Sequence, residues 1–328
     1  MKRELTRAFN LPDTDRHALA QALHPVALPR SPDHEVWVRQ VQEIFTRTLP
    51  AELRNALYEM RCAPNPPGVI ILNNMPVDAL LPPTPQNGHW APDAGTRVAE
   101  SCVLGVSSLL GEPFGFAAEK ASLVHHVVPV RSAASELSNQ GKVELPWHTE
   151  LAGLPHRPHF LILFGLRSDH SRQAYTRVAD VRPALERLSR RDRAELRKAQ
   201  FRSRLPVPYL RTAKDEAARW SASHAVIVGD DNSPEARAAT YGGSTQADSA
   251  AGERALEGLS AAMDKVEQAV LLDRGVMVIV NNAVAMHKRT AYEPRYDGTD
   301  RWFLRTYIAD SLWPFREHQT ESIRLLSL

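Results

Sequence analysis

The sequence predicts an α+β fold: a β-sandwich or barrel-like core with helices packed outside it. Up to about residue 110 the apolar residues recur mostly at helical spacing, whereas from about residue 120 they fall in short runs rich in β-branched and aromatic residues. Strands and helices do not alternate regularly, as a parallel βαβ sheet would require. At 328 residues the chain is long enough for one large core. We read residues 1–328 as a single domain, with about 1–67 as a helical part packed on that core.

Ser31 and Pro32 form an N-cap and first-turn pair, after which Trp37, Val41, Ile44 and Phe45 share one helical face. A second helix follows Pro50, striped by Leu53, Leu57 and Met60. "GVIILNN" (68–74) reads as a buried strand and "PPTPQNGHW" (82–90) as a loop. Val98, Cys102, Val106 and Leu109 mark a further core helix, which Gly111 ends. "LVHHVVPV" (123–130), "PHFLILFGL" (158–166) and "AYTRVADV" (174–181) read as strands. Helical inserts are expected over about 182–201 and about 253–271, the second striped by Leu256, Leu259, Met263, Val266 and Val270. Between them, residues 202–224 mix proline, charge and isolated apolar residues without a period, which suits a lid. "VMVIVNNAVAMHKRT" (276–290) is a buried strand followed by polar residues, and "DRWFLRTYIAD" (300–310) alternates; Asp297-Gly298 between them suits a tight turn.

Forty basic against 38 acidic residues leave a net charge of +2, which gives no footprint for nucleic acid and no polybasic membrane patch. No apolar run is long enough to span a bilayer, and the N-terminus lacks the apolar stretch of a secretory signal. Cys62 and Cys102 are too few for a disulfide framework and read as buried thiols in a reducing compartment. A cytoplasmic protein acting on a small molecule is expected.

The chemistry concentrates in two segments. In "ELPWHTE", His148 and Glu150 are two apart, so on a strand they share a face and can reach one divalent metal. The motif by itself equally describes a hydrogen-bonded surface pair. In "NNAVAMHKRTAYEPRYDGTDRWFLRTYI", His287 lies just beyond a buried strand, where it can complete a two-histidine, one-carboxylate facial triad of the kind used by non-haem Fe(II) oxygenases. Arg301, Phe303, Arg305 and Tyr307 share one face of the next strand. Two arginines on an apolar face need partners if buried, and small-molecule carboxylates match the guanidinium fork. Of His125 and His126, on a strand, one is expected to face in and one out, and His156, His159 and His170 have no ligand-like spacing.

On these segments the sequence resembles the Fe(II)/2-oxoglutarate dioxygenases of the clavaminate synthase type, which include β-hydroxylases of arginine and asparagine. That family carries His-x-Glu, a threonine 28 residues after the first histidine, a distal histidine, an arginine fourteen residues later and another four beyond. Thr176, His287, Arg301 and Arg305 stand at those offsets from His148-Thr149-Glu150. The resemblance implies a double-stranded β-helix (jelly-roll) core and Fe(II) bound by His148, Glu150 and His287. It implies that Arg301 and Thr176 hold the distal carboxylate of the co-substrate 2-oxoglutarate, that O₂ is consumed, and that Arg305 takes the α-carboxylate of an amino-acid substrate. Glu150 would also receive the substrate's amino group, with Ser138, Asn139 and Glu119 as further substrate contacts. Retention of Glu150 implies hydroxylation rather than halogenation, with succinate and CO₂ released, although desaturation or cyclisation would use the same ligands.

One departure bears on specificity. Arginine and asparagine hydroxylases of this type place an acid 46–48 residues before the distal histidine, where this chain has Ala239 and Tyr241. A guanidinium substrate would lose its partner there; Tyr241 can stack on or hydrogen-bond to a less charged side chain. The amino acid could arrive free or tethered to a carrier protein. Two other readings stand beside this one: a zinc hydrolase on the same three ligands, and a non-catalytic binding protein on the same scaffold.

Overall fold

Two sheets face one another, and alternation along their strands decides what lies between and outside them. The computed structural model describes residues 4–27, 34–86, 95–119, 121–205, 216–240 and 242–327. The larger sheet holds β1 (Thr6–Asn10), β2 (Val69–Asn73), β3 (Glu112–Phe116), β4 (His125–Val127), β6 (Phe160–Arg167), β13 (Met277–Asn281), β15 (Trp302–Ala309) and β16 (Leu325–Leu326). Its order is β1-β2-β13-β6-β15-β3-β16, with β4 also paired to β15. The smaller sheet runs β12 (Gln268–Leu271), β7 (Tyr175–Asp180), β14 (Ala285–Arg289), β5 (Leu145–His148), antiparallel throughout. Two such facing sheets form the expected jelly roll.

Along β6 every apolar side chain is buried because both faces are covered. Leu161 and Leu163 join Val69, Ile71, Val178, Val278 and Val280 between the sheets. Ile162 and Phe164 face the other way, toward α1 (Asp13–Leu23), α2 (His34–Thr48), α3 (Ala51–Cys62) and α4 (Arg97–Leu110). Outside the smaller sheet, Trp147, Ala179 and Met286 pack against α5 (Val181–Leu185), α6 (Arg190–Leu196) and α7 (Ala250–Met263). Two short ribbons complete that layer: β8 (Phe201–Ser203) with β11 (Thr245–Ala247), and β9 (Ile227–Val228) with β10 (Glu235–Ala236). Among the described residues no helix is long and apolar enough to cross a membrane.

The stripes expected for α2, α3 and α4 are buried, except that Ile44 and Leu109 are only partly covered by the same core. Gly111 does end α4, but its φ of 165° is extended; glycine is required because a Cβ would lie 2.3 Å from the Ala309 carbonyl oxygen. The Ser31–Pro32 cap lies outside the described residues. Several expectations change. The helical N-terminal part contains β1, an edge strand parallel to β2. The insert at 182–201 breaks into two short helices followed by β8. The second insert stops at Met263, and Val270 belongs to β12, whose pairing with β7 overrides the helical stripe. Asp297-Gly298 does not close a hairpin, since β14 and β15 lie in different sheets. Cys62 is exposed, at the end of α3, and only Cys102 is a buried thiol.

Candidate active site

His148 is the last residue of β5 and pairs directly with His287 on β14. Because Trp147 and Met286 point outward, alternation turns both imidazoles into the space between the sheets, their ring centroids 4.1 Å apart. Glu150 is not on the strand as the sequence suggests; β5 has ended, and Leu151 next to it has a φ of +55°. What returns Glu150 to the two histidines is Asn282. Its amide oxygen accepts from the Glu150 N–H at 2.7 Å, and its amide nitrogen donates to the carbonyls of Glu150 at 3.1 Å and Pro158 at 2.9 Å.

Glu150 Oε2 lies 3.5 Å from His287 Nε2 and 3.9 Å from His148 Nε2. His148 Nδ1 donates to the Pro146 carbonyl at 2.8 Å, which leaves the Nε2 lone pair directed at the same point. Burial, with His287 beside it, pushes His148 down to about 3, so the ring is neutral. Burial alone would raise Glu150, but Arg305 and the two histidines outweigh it and hold the carboxyl well below its usual range. Ligand atoms of the three buried side chains lie within 4.8 Å of one another. Donor atoms of two imidazoles and a carboxylate converge on one point, where a cation would relieve the repulsion between their lone pairs. The donor set therefore fits a divalent metal of the facial-triad kind.

Arg305 reaches into the same space from β15. Its guanidinium donates to Glu150 Oε1 at 2.9 Å and to Glu119 Oε2 at 2.8 Å, and the Tyr307 hydroxyl lies 3.0 and 3.1 Å from those two oxygens. Glu150 thus presents one oxygen to the histidines and the other to Arg305 and Tyr307. Burial raises the Glu119 carboxyl while Arg305 pulls it down. On the far side, Arg301 and Thr176 line one cavity with His148, Glu150 and His287. Arg301 is 3% exposed, its guanidinium lies over the Phe303 ring, and among the described residues it makes no salt bridge.

Arg289 is a site residue that the sequence motifs do not single out. It is two residues after His287, on the same face of β14, and pairs with Thr176. Its guanidinium donates to the carbonyls of Ser138 at 3.2 Å, Asn139 at 3.4 Å and Val143 at 2.5 Å; burial, with Arg301 nearby, pushes it down to about 10. Asn139 also lines the cavity, whereas Ser138 meets it through Arg289. Ala239 forms a bridge opposite His148, so the position where the resemblance places an acid is at the wall of the site. Tyr241 lies outside the described residues. His125 and His126 point to opposite faces of their strand, but neither faces solvent, because both faces are covered: His125 lies against Tyr307, and the His126 side chain, 6% exposed, accepts from Trp302. His156 and His159 sit apart, beside His318 and Asp310.

A jelly roll carrying two histidines and a glutamate at one mouth, with buried arginines behind them, defines a non-haem metal oxygenase site. The chain belongs to the taurine catabolism dioxygenase TauD, TfdA family, whose model matches residues 87–307. It is 35% identical to the L-asparagine oxygenase of Streptomyces coelicolor, over 86% of this chain and 82% of that one. It is 31% identical to the enduracididine beta-hydroxylase of Streptomyces hygroscopicus, over 84% and 86%. A solved asparagine oxygenase with Fe(II), 2S,3S-3-hydroxyasparagine and succinate superposes with a TM-score of 0.87 at 31% identity, covering 98% of this chain and 99% of that one. The non-heme iron oxygenase OrfP with Fe and alpha-ketoglutaric acid gives 0.83 at 27%, over 97% and 99%.

Proposed function

We propose that this protein is an Fe(II)/2-oxoglutarate-dependent hydroxylase of a free L-amino acid, oxidising an unactivated carbon (Cβ by analogy with the relatives) and releasing succinate and CO₂. The observation that carries the reading is the convergent His148–Glu150–His287 donor set in one cavity with Arg301, a buried cation without a salt-bridge partner among the described residues. Iron(II) held by those three side chains, with 2-oxoglutarate as co-substrate, supplies the activation of O₂.

The remaining work falls to the chain's own groups. Arg301 and Thr176 are placed to bind the far carboxylate of the co-substrate, and Arg289 adds a second positive charge behind them. Arg305, Glu119 and Glu150 form a buried cluster of one cation and two anions, the complement of a zwitterion. The substrate's carboxylate is assigned to Arg305 and its ammonium to Glu119 and Glu150. An aminoacyl group on a carrier protein has no free α-carboxylate, so the cluster favours a free amino acid. Asn139 and Ser138 border the same space and Tyr241 remains a candidate contact. With alanine at 239 beside His148, that position offers no carboxylate to a guanidinium, which points to a substrate with an uncharged side chain.

The zinc-hydrolase reading gives no use to Arg301 and Thr176, and membership of a dioxygenase family takes the footing from the binding-protein reading. Mass spectrometry of a panel of L-amino acids, incubated with Fe(II), 2-oxoglutarate and O₂, tests the proposal. One neutral amino acid should gain a single oxygen in step with succinate. Arginine turned over as fast as any neutral residue would refute the specificity, and succinate formed without a modified amino acid would refute the free-amino-acid substrate.

A further inference from the structure

The wall of the site beside His148 is one extended stretch, residues 238–240, laid against the open edge of the smaller sheet. Thr149 N–H donates to the Ala238 carbonyl and Thr240 N–H to the Trp147 carbonyl, each at 2.8 Å. These bonds flank the His148–Ala239 pair, which therefore has no hydrogen bond between its own members. Residues opposed in this way come closest across a sheet, at about 4.5 Å between Cα atoms, and their side chains share a face. The Ala239 methyl stands beside the His148 imidazole, and the Ala239 N–H points away from β5.

That N–H enters a chain of three side chains. It donates to Thr245 Oγ1 at 2.8 Å; Thr245 Oγ1 is 2.8 Å from Ser203 Oγ, which is 2.9 Å from His224 Nε2. His224 Nδ1 lies 2.9 Å from the Ala225 carbonyl. A carbonyl only accepts, so the proton of the neutral ring sits on Nδ1 and Nε2 is an acceptor. Ser203 must then donate to His224, Thr245 to Ser203, and Ala239 to Thr245. Each proton has a single direction. Burial pushes His224 down to about 4, with Arg237 and Arg157 facing the ring and adding to that shift, which keeps the acceptor available. Ser203 and Thr245 are buried on β8 and β11, so no water is needed to complete the chain.

We propose that Thr245, with Ser203 and His224 behind it, is a positioning residue for the amino-acid substrate, because this relay fixes residues 238–240 and with them the place of Ala239 beside His148. The inference rests on the functional reading above, in which the substrate occupies the space those residues border. Among the described residues, no strand pairs with 238–240 on its outer side, so the relay supports that side, while the bonds to β5 and those of the Thr149 and Thr240 hydroxyls hold the inner one.

The test compares Thr245→Val, which keeps the shape and removes the hydroxyl, with Thr245→Ser, which keeps the hydroxyl. Hydrogen exchange of the segment around 236–240 reads the anchoring without any substrate, and steady-state kinetics read its consequence. In Thr245→Val that segment should exchange about tenfold faster, and the amino-acid KM should rise roughly fivefold to tenfold. Turnover number and co-substrate affinity should both stay within about twofold, and Thr245→Ser should restore both readouts. Unchanged exchange, or an amino-acid KM that does not move, would overturn the proposal. So would a joint loss of kcat and of both affinities, which marks general disruption. Wild-type enzyme that turns over no amino acid would instead overturn the functional reading, leaving the exchange arm to decide whether the relay holds the segment.

Discussion

Replacing Asn282 by alanine removes the side chain that aims Glu150. The amide of Asn282 is 1% exposed and makes three hydrogen bonds, one from the Glu150 N–H and two to the carbonyls of Glu150 and Pro158. Each bond contributes about 1 kcal/mol net, and each buried group left without a partner costs about 1–3 kcal/mol. Partial relaxation brings the expected loss for Asn282→Ala to about 3–5 kcal/mol, at the upper end for a single substitution. The effect on the metal site is separate. With its backbone unpinned, the Glu150 carboxylate no longer points by default at His148 and His287, and Fe(II) affinity should fall about tenfold to a hundredfold. Urea unfolding measures the first quantity, and anaerobic Fe(II) titration of protein that is still folded measures the second. A loss of less than about 1 kcal/mol, together with unchanged Fe(II) affinity, would show that Asn282 does not place Glu150.

Three further outcomes follow from the structure. Arg301→Met should weaken 2-oxoglutarate binding by at least about tenfold in calorimetry while leaving thermal stability unchanged or raised, since it removes a buried charge that has no salt bridge among the described residues. Gly105→Ala should lower stability by about 1–3 kcal/mol in thermal unfolding, because a Cβ there would lie 2.1 Å from the Phe45 ring where α2 crosses α4. His224, displaced from the usual 6.5 to about 4, takes up its proton in the unfolded chain first. Its contribution is complete above pH 6.5 and is lost as pH falls toward 4. After discounting for partial exposure that loss is about 1–2 kcal/mol, and His224→Asn should flatten that part of the stability–pH curve in urea unfolding.

The site was legible wherever it depended on spacing. His148, Thr176, His287, Arg301 and Arg305 stand at fixed offsets because strands of set length carry them, and the structure brings them to one cavity. Arg289 could have been read by the same rule, since it follows His287 by two on one strand face. Asn282 could not. Its role is a side-chain-to-backbone contact across 132 residues, and nothing local distinguishes it from Asn281. Long-range pairing explains the misread elements as well. Thr6–Asn10 has little alternation and becomes a strand only because β2 offers it an edge. Val270 continues a helical stripe by coincidence, and its pairing with Thr176 on β7 decides its conformation. The count back from His287 led to Ala239, but only the sheet shows that this residue lies opposite His148.

The central claim is that His148, Glu150 and His287 hold an iron at which O₂ is shared between 2-oxoglutarate and an amino acid. Turnover under ¹⁸O₂ with Fe(II), 2-oxoglutarate and the neutral amino acid found by the panel tests it most directly. One ¹⁸O should appear in the hydroxylated amino acid and one in succinate, in equal amounts, and both signals should vanish in Glu150→Ala. Oxygen in the product that derives from water, or labelled product formed without 2-oxoglutarate, would contradict it.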